Sequence, residues 1–219
     1  MSDQLILKFP THQAYKKEDF YVSPSNQEAY DFINSWPKWI KRIINIFGPV
    51  GSGKTHLASI LKNKTTFLQV DSSKLNQKTF LKFKTKEALI IENLDEKISE
   101  KLLFSLWNSA LQDNKYLLIT SKQPINSYKF KLQDLVSRVN SSLIIGIKLP
   151  SDDLISVILA KNFSDKQIKV EKKHIDYIIK RIDRSYEKIS QFILTLDKYS
   201  LKKGSPFSLK LIKEVLKMI

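Results

Sequence analysis

The sequence has no cysteine, which excludes disulfides and thiolate-held metals. Histidine is almost as scarce: His12, His56 and His174 lie far apart and share no metal-ligand spacing. No apolar run approaches the roughly 20 residues needed to cross a bilayer. The first residues lack the basic and apolar regions of a secretory signal. These absences predict a cytoplasmic protein with no membrane partner. Acidic charge is also short, with 22 Asp and Glu against 37 Lys and Arg and a net charge of +15. Such a balance fits contact with nucleic acid, or work beside it. It equally fits a composition that is lysine-rich throughout, because the lysines are spread along the chain with no long basic block. No internal repeat and no low-complexity linker occurs.

What is present is ample apolar material, 42% of 219 residues, enough for one or two domains. Short β-branched runs read as strands: "RIINIF" (42–47), "TTFLQV" (65–70), "ALIIE" (88–92), "KYLLITS" (115–121) and "SSLIIGIKL" (141–149). Helical spacing lies between them, strongest in "SEKLLFSLWNSALQD" (99–113). Strands alternating with helices predict an α/β fold with a mostly parallel five-stranded sheet covered on both faces. After Pro150 only helical periodicity remains, broken at Gly204 and Pro206. The expected organisation is an N-terminal peptide (1–10), an α/β domain (11–150) and a small all-α domain (151–219). Trp36, Trp39 and Trp107 are read as a packing cluster.

The chain opens with "SDQLILKF" (2–9), an apolar hook at an end where polar residues are usual. In extended backbone Leu5, Leu7 and Phe9 project to one side, with Gln4 at the rim. Such a strip fits either pockets on a partner or an edge of the chain's own sheet.

"GPVGSGKT" (48–55) matches G-x-x-x-x-G-K-[ST] between a predicted strand and a predicted helix, the context this phosphate-binding loop requires. Gly48, Pro49, Gly51, Ser52 and Gly53 form a tight loop whose amides can point at phosphate oxygens. The helix that follows adds its positive N-terminus. Lys54 would reach the β- and γ-phosphates, and Thr55 would ligate Mg²⁺. The acid expected at a later strand end is Glu92, which would hold the metal's water shell. Asn93 follows where many such ATPases have a second acid, and an amide cannot take a proton from water. Nucleotide binding with weak self-catalysed hydrolysis is therefore expected.

"GPVGSGKTHLA", the acid-ended strand, "LLITSKQP" and "LQDLVSRV" occur in an order that resembles the AAA+ module of the bacterial replication initiator DnaA. The resemblance is closer still to its shortened relative, the DnaA regulatory inactivator Hda. "NQEAYDFINSWPKW" and "LDKYSL…SLKLIKEVL" extend it over nearly the whole chain. The chain ends after the helical region, without a further DNA-binding domain, which favours the inactivator. The resemblance implies a P-loop AAA+ domain with a helical lid, and a bound ADP or ATP with Mg²⁺. It implies Arg138 of "DLVSRV" as an arginine finger acting in trans on DnaA, with Asp134 as that arginine's alternative partner inside the chain. "QLILKF" is similar to the peptides that dock on the DNA polymerase sliding clamp, which assigns Gln4, Leu5, Leu7 and Phe9 to clamp binding. Tyr21 and Val22 match an adenine-contacting stretch or are core residues. Implied partners are the clamp and DnaA, with DNA contacted indirectly, a homodimer as a further option, and a location at the nucleoid or replisome. Three departures from the family pattern are Asn93, Lys122 at the sensor-1 position, and Glu187 at the sensor-2 position, with Arg184 and Lys188 as nearby substitutes. The alternative function is an autonomous AAA+ ATPase, such as a helicase loader or initiator-like remodelling factor.

Overall fold

The computed structural model describes residues 20–61, 64–166, 168, 170–203 and 208–219. The N-terminal hook with Gln4, Leu5, Leu7 and Phe9 lies outside these, as do Gly204 and Pro206.

The described chain opens with α1 (Gln27–Asn34), β1 (Ile43–Phe47) and α2 (Lys54–Ile60). It continues through β2 (Phe67–Asp71), α3 (Gln77–Phe83), β3 (Ala88–Leu94), α4 (Glu100–Gln112) and β4 (Tyr116–Ser121). The α/β part closes with α5 (Gln133–Asn140) and β5 (Leu143–Gly146). The five strands form one sheet in the order β2-β3-β4-β1-β5, and every pairing is parallel. Parallel pairing demands long crossovers, which the intervening helices supply.

Both faces are buried, which is why the strands are continuous apolar runs. On one face α1 and α2 pack Ala29, Ile33, Leu57 and Ala58 against Ile44, Ile46, Ile90 and Leu118. On the other, α3, α4 and α5 pack Phe83, Leu103, Leu106, Trp107, Leu135 and Val139 against Leu89, Ile91, Leu117 and Ile119. The three tryptophans therefore do not form one cluster. Trp36 and Trp39 meet edge to face at 4.9 Å, with Tyr116 beside them, on the α1 side. Trp107 is buried on the opposite face. Sequence distance and aromatic character cannot show on which side of a sheet a residue lies.

Strand bounds differ from expectation chiefly at β3, which runs past Glu92 to Leu94. One extra residue is accommodated there: Ile91 pairs with Ile119, but Leu94 pairs with Ser121. Asn93 takes up the slack with φ 55, in the left-handed region that Asn tolerates.

Strands end at Gly146, and four helices follow: α6 (Asp152–Asp165), α7 (Lys172–Ile179), α8 (Tyr186–Lys203) and α9 (Leu209–Leu216). Ser151 and Ser208 cap the starts of α6 and α9 by accepting from Leu154 N–H and Leu211 N–H. Ile155, Leu159, Ile178, Phe192, Ile212 and Val215 make a separate core for this helical part.

Candidate nucleotide-binding site

The loop between β1 and α2 is held by its neighbours. Gly48 N–H donates to the carbonyl of Ser121 at the end of β4, at 3.2 Å. Two positions require glycine. Gly51 has φ 79 and Gly53 has φ 87, a region costly for residues with a Cβ. A Cβ on Gly53 would stand 2.8 Å from the Phe20 ring, and one on Gly51 would stand 3.1 Å from Tyr186 Cβ. The loop is thus a cradle closed by close backbone approach, emptied of side chains where phosphate oxygens would sit.

Lys54 opens α2 and folds back over this loop. Its Nζ donates to the carbonyls of Gly48 at 2.8 Å and Pro49 at 2.7 Å. Burial, and secondarily the charge of Lys122, push its pKa down to about 8. An anion in the loop would relieve both effects. Glu92 shares Ile90's side of β3, the face that α2 covers. One of its carboxylate oxygens is buried and has no hydrogen-bond partner, an arrangement suited to a hydrated cation beside Thr55.

A cleft of about 1150 Å³ runs from the loop to the helical lid. Gly51, Ser52, Gly53, Lys54 and Thr55 line its floor. Val50, Ile158, Tyr186, Ile189, Ile193 and Leu194 give it an apolar side that suits a planar base. The lid residues of this wall were missed in the sequence. Only the period of α8, which brings 186, 189, 190, 193 and 194 to one stripe, marks them.

Other candidates are placed differently from expectation. Glu92 does not line the cleft, whereas Asn93, Asp95 and Glu96 do. The Asn93 amide donates to Asp71 Oδ2 at 2.8 Å, and its N–H donates to Thr120 Oγ1 at 3.2 Å. Ser73 and Asn93 together hold the Asp71 carboxyl below its ordinary range. Tyr21 is exposed and Val22 half-buried, and neither lines the cleft, so Tyr21 is not a core residue. Arg184 does not face the loop: it grips Asp152 at the start of α6 through two bonds of 2.8 and 3.1 Å. Lys188 Nζ donates to the carbonyl of Ile219. Glu187 is exposed and off the cleft. Among the residues that line the cleft, the lid contributes no charge.

Arg138 lies on α5, exposed, and no ion pair joins it to Asp134 or to any other described residue. Its helix is fixed from both ends. Leu135 and Val139 are buried in the core, and Glu100 of α4 accepts from Lys131 N–H and from Leu132 N–H, the latter at 2.7 Å.

Parallel sheet order, P-loop and helical lid together define an AAA+ architecture. Domain III of the replication initiation protein DnaA from Thermotoga maritima has this fold, with a TM-score of 0.77 and 21% identity over 95% of this chain and 98% of that one. A structure of DnaA bound to AMPPCP and single-stranded DNA matches with a TM-score of 0.67 and 19% identity, over 87% of this chain and 68% of that one. In sequence, the chromosomal replication initiator protein DnaA of Campylobacter jejuni is 26% identical over 227 aligned positions, 91% of this chain and 51% of that protein. The chain spans about half the length of the curated relatives it matches. No family model matches it. The chain is a DnaA-like AAA+ protein.

Proposed function

We propose that this chain binds an adenine nucleotide and regulates the initiation of chromosome replication by acting on DnaA. The P-loop amides and Lys54 would hold the phosphates, and Thr55 and Glu92 would hold Mg²⁺, which when bound offsets phosphate charge. Tethered to the sliding clamp by Gln4, Leu5, Leu7 and Phe9, the chain offers Arg138 to ATP on a neighbouring DnaA and promotes its hydrolysis. A guanidinium supplied in trans stabilises charge on the transferring phosphoryl group. The tether raises effective concentration and confines the event to DNA carrying a clamp, at the nucleoid or replisome in the cytoplasm.

The observation that supports this reading is Arg138 itself, an exposed and unpaired guanidinium on a helix that Glu100 and the core hold in place. Weak hydrolysis by the chain's own site agrees with Asn93 at the second-acid position and with the uncharged lid. The test is ATP turnover by purified DnaA with this protein, loaded clamp and DNA. Stimulation is expected, lost in Arg138→Ala but with clamp binding kept. Removing residues 2–9 should abolish clamp binding and leave nucleotide affinity intact. Unchanged DnaA turnover would sink the proposal.

A second reading is an autonomous initiator-like ATPase or helicase loader. It is favoured by the names of the relatives, all replication initiators, and by the structural neighbour with bound single-stranded DNA. It predicts robust turnover by this chain alone, increased by single-stranded DNA.

A further inference from the structure

We propose that Lys122 is the second cation of the polyphosphate site, taking the terminal phosphate from the β4 side while the lid grips only the base. The proposal rests on the reading that the cleft binds a nucleotide, and it adds which residue tells a triphosphate from a diphosphate.

Charge placement around the cleft supports it. From α2 come Lys54 and His56, from the end of β3 Asp95 and Glu96, and from the end of β4 Lys122. Glu92 stands on the α2 face behind them. The lid adds Ile158, Asn162, Tyr186, Ile189, Ser190 and Ile193, all uncharged. The two lid cations nearest in sequence are engaged elsewhere, Arg184 with Asp152 and Lys188 with the Ile219 carbonyl. A triphosphate needs more positive charge than Lys54 alone provides, and Lys122 is the remaining Lys or Arg on the cleft.

Its backbone is fixed and its ammonium is not. Ser121 is fully buried; its carbonyl accepts from Gly48 N–H, and its hydroxyl donates to the Gln123 carbonyl at 2.7 Å and accepts from Asn45 Nδ2 at 2.8 Å. Asn45 Oδ1 also accepts from Ile125 N–H at 2.9 Å. The residues on either side of Lys122 are thus tied to the first residue of the P-loop and to β1. The Lys122 side chain is exposed and makes no hydrogen bond or ion pair among the described residues. Its charge is close enough to Lys54 to disfavour that residue's protonation, so a phosphate between them would satisfy both.

The test is titration calorimetry with Mg·ADP and with Mg·AMPPCP on the full chain and on Lys122→Met, Lys122→Arg and Lys54→Ala. Lys122→Met should weaken AMPPCP about tenfold or more, as expected for a lost charge-assisted hydrogen bond, and ADP far less. Lys122→Arg should keep AMPPCP affinity. In Lys122→Met the pH at which Lys54-dependent affinity begins to fall should move above its wild-type value near 8. Hydrogen exchange in α8 should be protected equally by either nucleotide. Equal losses for both nucleotides, no loss for either, or greater α8 protection by AMPPCP would overturn the proposal. If Lys54→Ala abolishes binding while Lys122→Met changes nothing, only this proposal fails. If the wild-type chain binds neither nucleotide, the reading of the cleft fails and takes it along.

Discussion

The Cβ of Tyr186 stands 3.1 Å from the point where a side chain on Gly51 would begin. One residue belongs to the first turn of α8 and the other to the P-loop, so lid and loop touch through backbone-level contact. The Tyr186 hydroxyl extends the junction, lying 3.4 Å from Ser25 Oγ and donating to the Lys148 carbonyl at 3.3 Å. Burial of this phenol pushes its pKa up, so it remains a proton donor at neutral pH. Gly51→Ala meets both a left-handed backbone and this ring. It should destabilise the chain by about 1–2 kcal/mol and weaken nucleotide binding, read by thermal unfolding and calorimetry. Tyr186→Phe keeps the packing and should cost less.

Nucleotide affinity should depend on pH through Lys54. Free Lys54 titrates at about 8; phosphate in the loop stabilises its charged form and raises that value. Above pH 8 the complex therefore holds more protons than the free protein, and binding takes a proton up. Affinity should be flat below that pH and fall as pH rises from 8 toward 10, by up to about tenfold per unit. Lys54→Arg, whose guanidinium stays charged, should remove the slope. Calorimetry in buffers of different ionisation enthalpy counts the proton directly.

Asn45 is a polar residue in the middle of an apolar strand, 1% exposed. Its amide donates to the Ile119 carbonyl and to Ser121 Oγ, and its oxygen accepts from Ile125 N–H. Asn45→Leu keeps the volume and strands these partners, for a loss of about 1–3 kcal/mol in denaturant titrations. A stability equal to wild type would show that the network contributes nothing net.

Trp107 fills the core between α4 and the sheet, 1% exposed. Trp107→Ala should cost about 3–5 kcal/mol. Trp36→Ala, on the other face and only partly buried, should cost less. Chemical denaturation of the two variants compares the faces directly.

The Glu100 carboxylate is held below its ordinary range by the N–H groups of Leu132 and Lys131. Because its folded-state value is depressed, the grip is present above the usual glutamate range and is lost as pH falls below it. Glu100→Ala should speed hydrogen exchange at the start of α5, with little change in global stability. It should also lower Arg138-dependent stimulation of DnaA. Unchanged exchange at Leu132 would refute the anchoring role.

The sheet and its helices were legible because parallel strands buried on both faces read as uninterrupted apolar runs, and because a P-loop has one place in such a fold. The remainder depended on contacts between residues distant in sequence. No local signal shows that Arg184 will bind Asp152 or that Lys188 will reach Ile219. The left-handed turn at Asn93 was hidden because "IIENLD" reads as a strand ending on an acid, whereas the bulge that extends β3 arises from its pairing with β4. Tyr21 read as either a base contact or a core residue, and it is exposed and away from the cleft.

The helix that Glu100 begins starts six residues beyond the strand end at Leu94, and the same glutamate clasps the start of the helix carrying Arg138. The inner rim of the cleft and the outward-facing guanidinium are therefore parts of one stiff lever. A partner that pulls on the arginine also leans on the acids at the mouth of the chain's own cleft.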